Sequence, residues 1–322
     1  MTEKKMVITE PIDSYGIELL KREANVVYLP ELPDRSLAEE IKDAHAIIVR
    51  VVRLDSTLIE PCRNLLVIAK HGVGYDNIDV AAATRKKIPV INAPEANIES
   101  VAEHNIGLML SLAKNICTTN RALRHDTFRR REDYPCVELA GKKLGIIGLG
   151  RTGVRTADKC QRAFNMKIMA YSPTSPAERF TQLGCARVEK LDDLLGEADF
   201  IVLCVPLTLK TASMIGAREL GMMKSQAFLI NSSRGGVVDE DALYHALCEG
   251  KIAGAAMDVF AKEPATSANP LLSLDNFIAT PHVAGSTAES MRRVAISVAE
   301  DILSIFAGKM PRYPVNPEVY RK

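Results

Sequence analysis

No sign of charge dominates this chain: 41 Lys and Arg face 40 Asp and Glu, a formal net charge of +1. Such a balance projects no long-range field toward nucleic acid or an anionic membrane surface, so neither is expected as a partner. Long apolar runs are missing as well. None approaches the roughly 18 residues of a membrane span, and the opening MTEKKMVITEPID carries two lysines without an apolar h-region. The seven cysteines, Cys62, Cys117, Cys136, Cys160, Cys185, Cys204 and Cys248, form no CxxC and no Cys/His cluster at metal-ligand spacing. That scatter argues against a metal site or a disulfide framework and reads as reduced core thiols in a cytoplasmic protein. Internal repeats with periods of roughly 20–50 residues and low-complexity tracts are also absent. A globular protein with a small-molecule partner is what these absences leave.

What is present is alternation. The 322 residues exceed a typical domain of about 100–150 residues, so two domains are predicted. In the first hundred residues MVIT (6–9), NVVYL (25–29), AIIVRV (46–51), LLVIA (65–69) and IPVIN (88–92) are short runs rich in Val and Ile that read as strands. Between them SYGIELLKREA, RSLAEEIKDA and NIDVAAATRKK carry apolar residues at helical spacing. A second series begins at KKLGIIGLG (142–150) and continues through KIMAYS, DFIVLCVP, AFLINSS, AGAAMDVF and FIATPH. Residues 96–123, between the two series, are expected to form one long amphipathic helix. AESMRRVAISVAEDILSIFAG (288–308) is expected to form another, after which too few residues follow for a regulatory domain. The predicted architecture is α/β with two doubly wound parallel-sheet domains, a discontinuous one from 1–100 plus 288–322 and one from 101–287.

Within the second series, LGII runs into GLGRTG, whose glycines are Gly148, Gly150 and Gly153, and a helical stretch follows. GxGxxG alone is a weak signal, but strand before and helix after supply the context of a dinucleotide-binding turn. Gly148 permits the tight turn, Gly150 the approach of a pyrophosphate, and Gly153 the packing of helix on strand. Arg151 and Thr152 lie in the first helical turn, where an anion is favoured. Ser172, 19 residues past Gly153, stands where NAD-preferring sites usually carry an acid. No cation lies between Ser172 and Arg179, so NAD is expected over NADP, with mixed use left open. Ligands of a parallel sheet bind beyond the carboxyl ends of its strands. The unusual residues fall there: Ser172, Val205 and Pro206, Ser232 with Ser233 and Arg234, Asp258, and His282. Thr211 and Gly285 are counted with the same cofactor site, whereas Asp239 is expected only to cap the helix DALYHALCEG.

Three of these residues have chemistry that works together. Arg234 presents a fork of N–H donors to a carboxylate or carbonyl. Glu263, in DVFAKEP, can pair with a histidine, and a carboxylate beside an imidazole stabilises the imidazolium. His282, in TPHVAG, is then the group that gives or takes the proton that hydride transfer to a carbonyl requires. The small residues Val283, Ala284 and Gly285 leave room beside its ring.

HGVGYDNIDVAAATRKKIPVINAPEANIESVAEH, KKLGIIGLGRTG, FIVLCVPLT, INSSRGGVVDEDAL, AAMDVFAKEP and TPHVAGST follow one another over nearly the whole chain. Together they resemble the D-isomer-specific 2-hydroxyacid dehydrogenase family. GVGYDNID, SVAEH and SRGGVVDEDAL bring the likeness nearest its phosphoglycerate dehydrogenase and hydroxypyruvate (glyoxylate) reductase branch. The resemblance implies a flavodoxin-like substrate domain with a Rossmann domain inserted in it, and a homodimer through the Rossmann domains. It implies an NAD-dependent enzyme that interconverts a D-2-hydroxy acid and its 2-keto acid in the cleft between domains. In that enzyme Arg234 would bind the substrate, His282 act as acid/base with Glu263 as partner, and Asp258 face the nicotinamide carboxamide. The backbone of Val73 and Gly74 would hold the substrate carboxylate, Ser100 would lie near it, and Arg50 and Lys70 would supply cations for a substrate phosphate. His71, where the family usually has a small residue, and Arg50-Val51-Val52-Arg53 depart from the family's pattern. A dinucleotide-sensing, corepressor-like binding protein is the alternative from another class, and a formate dehydrogenase the alternative from the same class.

Overall fold

In the computed structural model, which describes residues 4–128 and 130–321, the β-branched runs of the first hundred residues become five short strands. These are β1 (Lys5–Ile8), β2 (Asn25–Tyr28), β3 (Ala46–Val49), β4 (Val67–Lys70) and β5 (Val90–Ile91). Helices α1 (Ser14–Lys21), α2 (Leu37–Glu40), α3 (Ser56–Ile59) and α4 (Val80–Arg85) connect them. All pairings are parallel and the strand order is β2-β1-β3-β4-β5, the flavodoxin-like order. Because side chains alternate along a strand, both faces of this sheet are apolar. Met6, Ile8, Ile48 and Val67 fill one face, and Val7, Ile47, Val49 and Ile68 fill the other.

The second unit is Ile98–Gly285. It opens with α5 (Ile98–Ala113) and α6 (Ile116–Arg124), then runs through β6 (Lys143–Ile147), α7 (Arg151–Phe164), β7 (Lys167–Tyr171), α8 (Ala177–Leu183) and β8 (Ala186–Arg187). It continues as α9 (Leu191–Glu197), β9 (Phe200–Leu203), α10 (Ala217–Met222), β10 (Phe228–Asn231), α11 (Glu240–Cys248), β11 (Gly254–Met257) and β12 (Phe277–Ala279). The seven strands are parallel in the order β12-β11-β10-β9-β6-β7-β8. Counted from β6 this is the doubly wound dinucleotide order, 3-2-1-4-5-6, extended by one strand. Asp239 caps α11, accepting from the Ala242 N–H. From Ser286 the chain belongs to the first unit again. There α12 (Ala288–Phe306) lays Val294, Val298 and Ile302, one helical turn apart, on the Met6 face of the sheet.

Two expectations are corrected. Residues 96–123 do not form one helix: Asn115 adopts φ +50° between α5 and α6, and its side-chain amide donates to the Pro135 carbonyl at 2.7 Å. Asparagine tolerates that left-handed geometry better than most residues, so the break falls on it. All seven cysteines are free, but only Cys62, Cys160 and Cys185 are buried, while Cys117, Cys136 and Cys248 are exposed. Cys117 lies on α6, where Ala122 is the only buried residue, and Cys248 ends α11.

Candidate active site

A parallel sheet puts all its strand ends of one kind along one edge, and in the second unit that edge collects the polar residues. Ser172 follows β7, Val205 and Pro206 follow β9, Ser232 follows β10, Asp258 follows β11, and His282 follows β12.

At the end of β6 the chain turns on glycines. Gly148 has φ +96°, and a Cβ there would stand 2.5 Å from the Cys204 carbonyl oxygen and 2.7 Å from Val205. A Cβ on Gly153 would collide with the Gly148 carbonyl, so helix and turn meet only because both side chains are missing. Gly150 differs: a Cβ there would meet nothing within 4 Å. It is the N-cap of the 14-residue α7, and no side chain caps that end. Open backbone at an uncapped helix N-terminus suits a pyrophosphate, so the turn fits a dinucleotide. Nearby, Thr211 ties the loop after β9 by donating to the Pro206 carbonyl at 2.6 Å.

Arg234, Glu263 and His282 come together. The His282 ring meets Glu263 through Nδ1 at 2.8 Å from Oε2. Glu263 also accepts the Phe260 N–H at 3.0 Å through Oε1. Burial works to raise the Glu263 pKa. The hydrogen bonds from His282 and Phe260, with the charges of His282 and Arg234, outweigh burial and hold the carboxyl below its usual range. Glycine explains why Arg234 lies beside Glu263. A Cβ on Gly235 would collide with the backbone of Phe260 and Ala261, so the Arg234 turn and the segment leading to Glu263 pack backbone to backbone. Fully buried Asn231 shapes the same turn, donating to the Arg234 carbonyl at 2.9 Å and accepting from the Ser233 N–H at 3.0 Å.

Asp258 does work that its sequence position does not announce. Its carboxylate is fully buried and accepts the N–H groups of Val283 (2.9 Å) and Ala284 (2.8 Å) and the Thr280 hydroxyl (2.6 Å). His104 Nε2 lies 3.0 Å from that hydroxyl, so a chain of polar contacts runs from α5 to the loop that carries His282. Thr280 and His104 are the site residues that sequence reasoning misses. Beside them, Ser232 donates to Asn105 at 2.6 Å and Asn105 to Thr156 at 3.2 Å. Ser100 is buried on α5.

The first unit carries the remaining expected residues. Glu10 accepts the N–H groups of Arg50 (2.6 Å), Val51 (2.8 Å) and Val52 (3.1 Å), which fixes the loop after β3. Lys70 donates to the Arg50 carbonyl and, at 2.7 Å, to Asn77 Oδ1, so it braces that loop. The Val73 carbonyl accepts from Asn92 at 2.6 Å. The N–H groups of Val73 and Gly74 have no partner among the described residues. His71 is buried and its Nε2 has no hydrogen-bond partner. Burial first, then the Arg50 charge, push its pKa down to about 4.

The family model described as D-isomer specific 2-hydroxyacid dehydrogenase, NAD binding domain, matches residues 106–284. A D-3-phosphoglycerate dehydrogenase of Methanocaldococcus jannaschii is 42% identical over 97% of this chain and 59% of its own length. The chain therefore spans about three fifths of that relative. A hydroxypyruvate reductase of Thermotoga maritima is 39% identical, covering 94% of this chain and 98% of its own. Among solved structures, an NADPH-dependent glyoxylate/hydroxypyruvate reductase of Sinorhizobium meliloti, in complex with NADP and malonate, matches with a TM-score of 0.85 and 29% identity. That match covers 98% of this chain and 97% of the other. A nicotinamide dinucleotide is thus the cofactor class, and the chain belongs to the D-isomer-specific 2-hydroxyacid dehydrogenase family.

Proposed function

We propose that this protein interconverts a D-2-hydroxy acid and its 2-keto acid by hydride transfer. The observation that carries the proposal is the His282–Glu263 pair at 2.8 Å beside the charge of Arg234, at the sheet edge that also holds the glycine turn. A bound nicotinamide dinucleotide, NAD(H) in the first instance, supplies or accepts the hydride. Arg234 holds the substrate carboxylate or keto oxygen with its forked donors. Glu263 fixes Nδ1 of His282, so Nε2 is the nitrogen that exchanges the proton with the substrate oxygen. Asp258 holds the loop that presents this ring, and it is the residue taken to face the nicotinamide carboxamide. The N–H groups of Val73 and Gly74, without a partner among the described residues, suit the substrate carboxylate, and Ser100 is taken as a further substrate residue. Of the two cations expected for a substrate phosphate, Lys70 is turned to the Arg50 carbonyl and Asn77. Hydroxypyruvate and glyoxylate are therefore favoured over 3-phosphoglycerate.

In this reading the unit up to Asn97 and from Ser286 onward binds the substrate, and Ile98–Gly285 binds the dinucleotide. A homodimer through the second unit would cover Ile116, Leu123 and Phe128, which are exposed at and just after α6. A cytoplasmic protein accords with seven free cysteines. The complete Arg, Glu and His set favours an enzyme over a dinucleotide-sensing binding protein. Absorbance of NADH and NADPH with glyoxylate, hydroxypyruvate, pyruvate and 3-phosphohydroxypyruvate tests the choice. Turnover is expected with the first two, and turnover with none of the four would leave only the binding reading.

A further inference from the structure

The ring of His282 is half-exposed, and its hydrogen bond to Glu263 orients the ring without fixing the backbone that carries it. Asp258, the first residue past β11, holds that backbone. Its carbonyl accepts the His282 N–H at 2.7 Å, and its carboxylate accepts from Val283, Ala284 and Thr280. Those three donors all belong to the loop that the carboxylate holds, so side chain and loop fix each other. The contact that ties the pair to a different element comes from α5.

α5 lies against β10 and β11, where its Leu108, Met109 and Leu112 share one core with Ile230 and Ala256. His104 stands one helical turn before Leu108 and so on the same face. Its Nε2 is 3.0 Å from the Thr280 hydroxyl oxygen and 3.6 Å from Asp258 Oδ1, so only the first is a hydrogen bond. The direction follows from where the hydrogens are. A hydroxyl has one hydrogen, a carboxylate has none to give, and the Thr280 oxygen stands 2.6 Å from Asp258 Oδ1. Thr280 therefore donates to Asp258 and can only accept from His104, whose Nε2 carries the hydrogen. The next residue of α5, Asn105, accepts from Ser232 at 2.6 Å in the turn that leads to Arg234. Two successive residues of one packed helix thus reach the turns of both His282 and Arg234.

We infer that His104 is a positioning residue for the acid/base histidine: its Nε2–H donates to Thr280, which turns the Thr280 hydroxyl onto Asp258 and ties the loop of His282 to α5. It acts through Thr280 and Asp258 rather than on the substrate, and each bond in such a chain polarises and strengthens the next. The inference rests on His282 being the group that exchanges the proton.

Steady-state kinetics of the full chain with NADH and hydroxypyruvate, run beside thermal melts, separate positioning from folding. His104→Ala is expected to lower kcat about tenfold, the worth of one hydrogen bond, while KM for each substrate stays within about twofold. His104→Gln, whose amide N–H stands where the Nε2–H stood, is expected to recover most of that loss. Thr280→Val should lower kcat as far, and adding His104→Ala to it should lower it no further, since both break one chain. An unchanged kcat in His104→Ala, no recovery in His104→Gln, or losses that simply add would overturn the inference. Nitrogen-15 spectra of the six histidine side chains, with the His104 signals identified by their loss in His104→Gln, read the tautomer without turnover. A hydrogen on Nε2 of His104 is expected; one on Nδ1 alone would contradict the inference and leave His282 its role. No turnover by the unaltered chain would remove the role of His282 and this one with it.

Discussion

His282 holds a left-handed backbone conformation that few non-glycine residues adopt. Its φ of +55° costs about 1–3 kcal/mol, and the hydrogen bonds that fix the loop to buried Asp258, each worth about 1.5–3 kcal/mol to a charged acceptor, outweigh that cost. The imidazole is therefore aimed by its neighbours: Asp258 sets the loop and Glu263 sets the ring. His71 makes a different point about single residues. It sits neutral and buried between the charges of Arg50 and Lys70, with its pKa pushed from 6.5 down to about 4. The unfolded chain thus binds the extra proton first, and stability rises with pH between about 4 and 6.5, by up to about 3 kcal/mol. Urea unfolding at pH 5 and pH 7.5 should show that loss at the lower pH, and His71→Asn should shrink it. An equal pH dependence in both proteins would refute the assignment. Arg234, Glu263 and His282 were legible in the sequence because each stands in a distinctive motif and the three chemistries fit one reaction. His104 and Thr280 were not. They lie 176 residues apart, and only the packing of α5 against β10 and β11 brings His104 to the loop after β12.

At the level of elements, strands buried on both faces show as unbroken Val and Ile runs, so five strands of the first sheet and six of the second could be read directly. β8 escaped because Ala186 and Arg187 are exposed and only two residues long. The break at Asn115 escaped because the apolar spacing continues across it while one dihedral does not. The backbone contact at Gly235 is the element-level device that serves the site, since it sets the β10 turn against the segment after β11. Gly235→Ala should force that segment away. A loss of about 1–3 kcal/mol in stability, seen in thermal melts, should accompany a fall in kcat because Arg234 and Glu263 part. Full activity with an unchanged melting temperature would show that the contact does not matter.

The whole molecule is two parallel-sheet units, each assembled from successive strand–helix pieces, and this is why one chain can carry so many polar residues without a polar core. In the second unit the apolar side chains fill both faces of the sheet, and the reactive ones are displaced to its carboxyl edge. Reading the sequence as alternating pieces was enough to find that edge. The direction of loop side chains such as Lys70, which turns to Asn77, is supplied only by the fold. The central claim is that His282 moves the proton in hydride transfer. The most direct test is the kcat of His282→Ala with hydroxypyruvate, measured beside its binding of NADH. A fall in kcat of about 100-fold or more, with NADH still bound, is the predicted result; turnover near that of the unaltered protein would contradict the account.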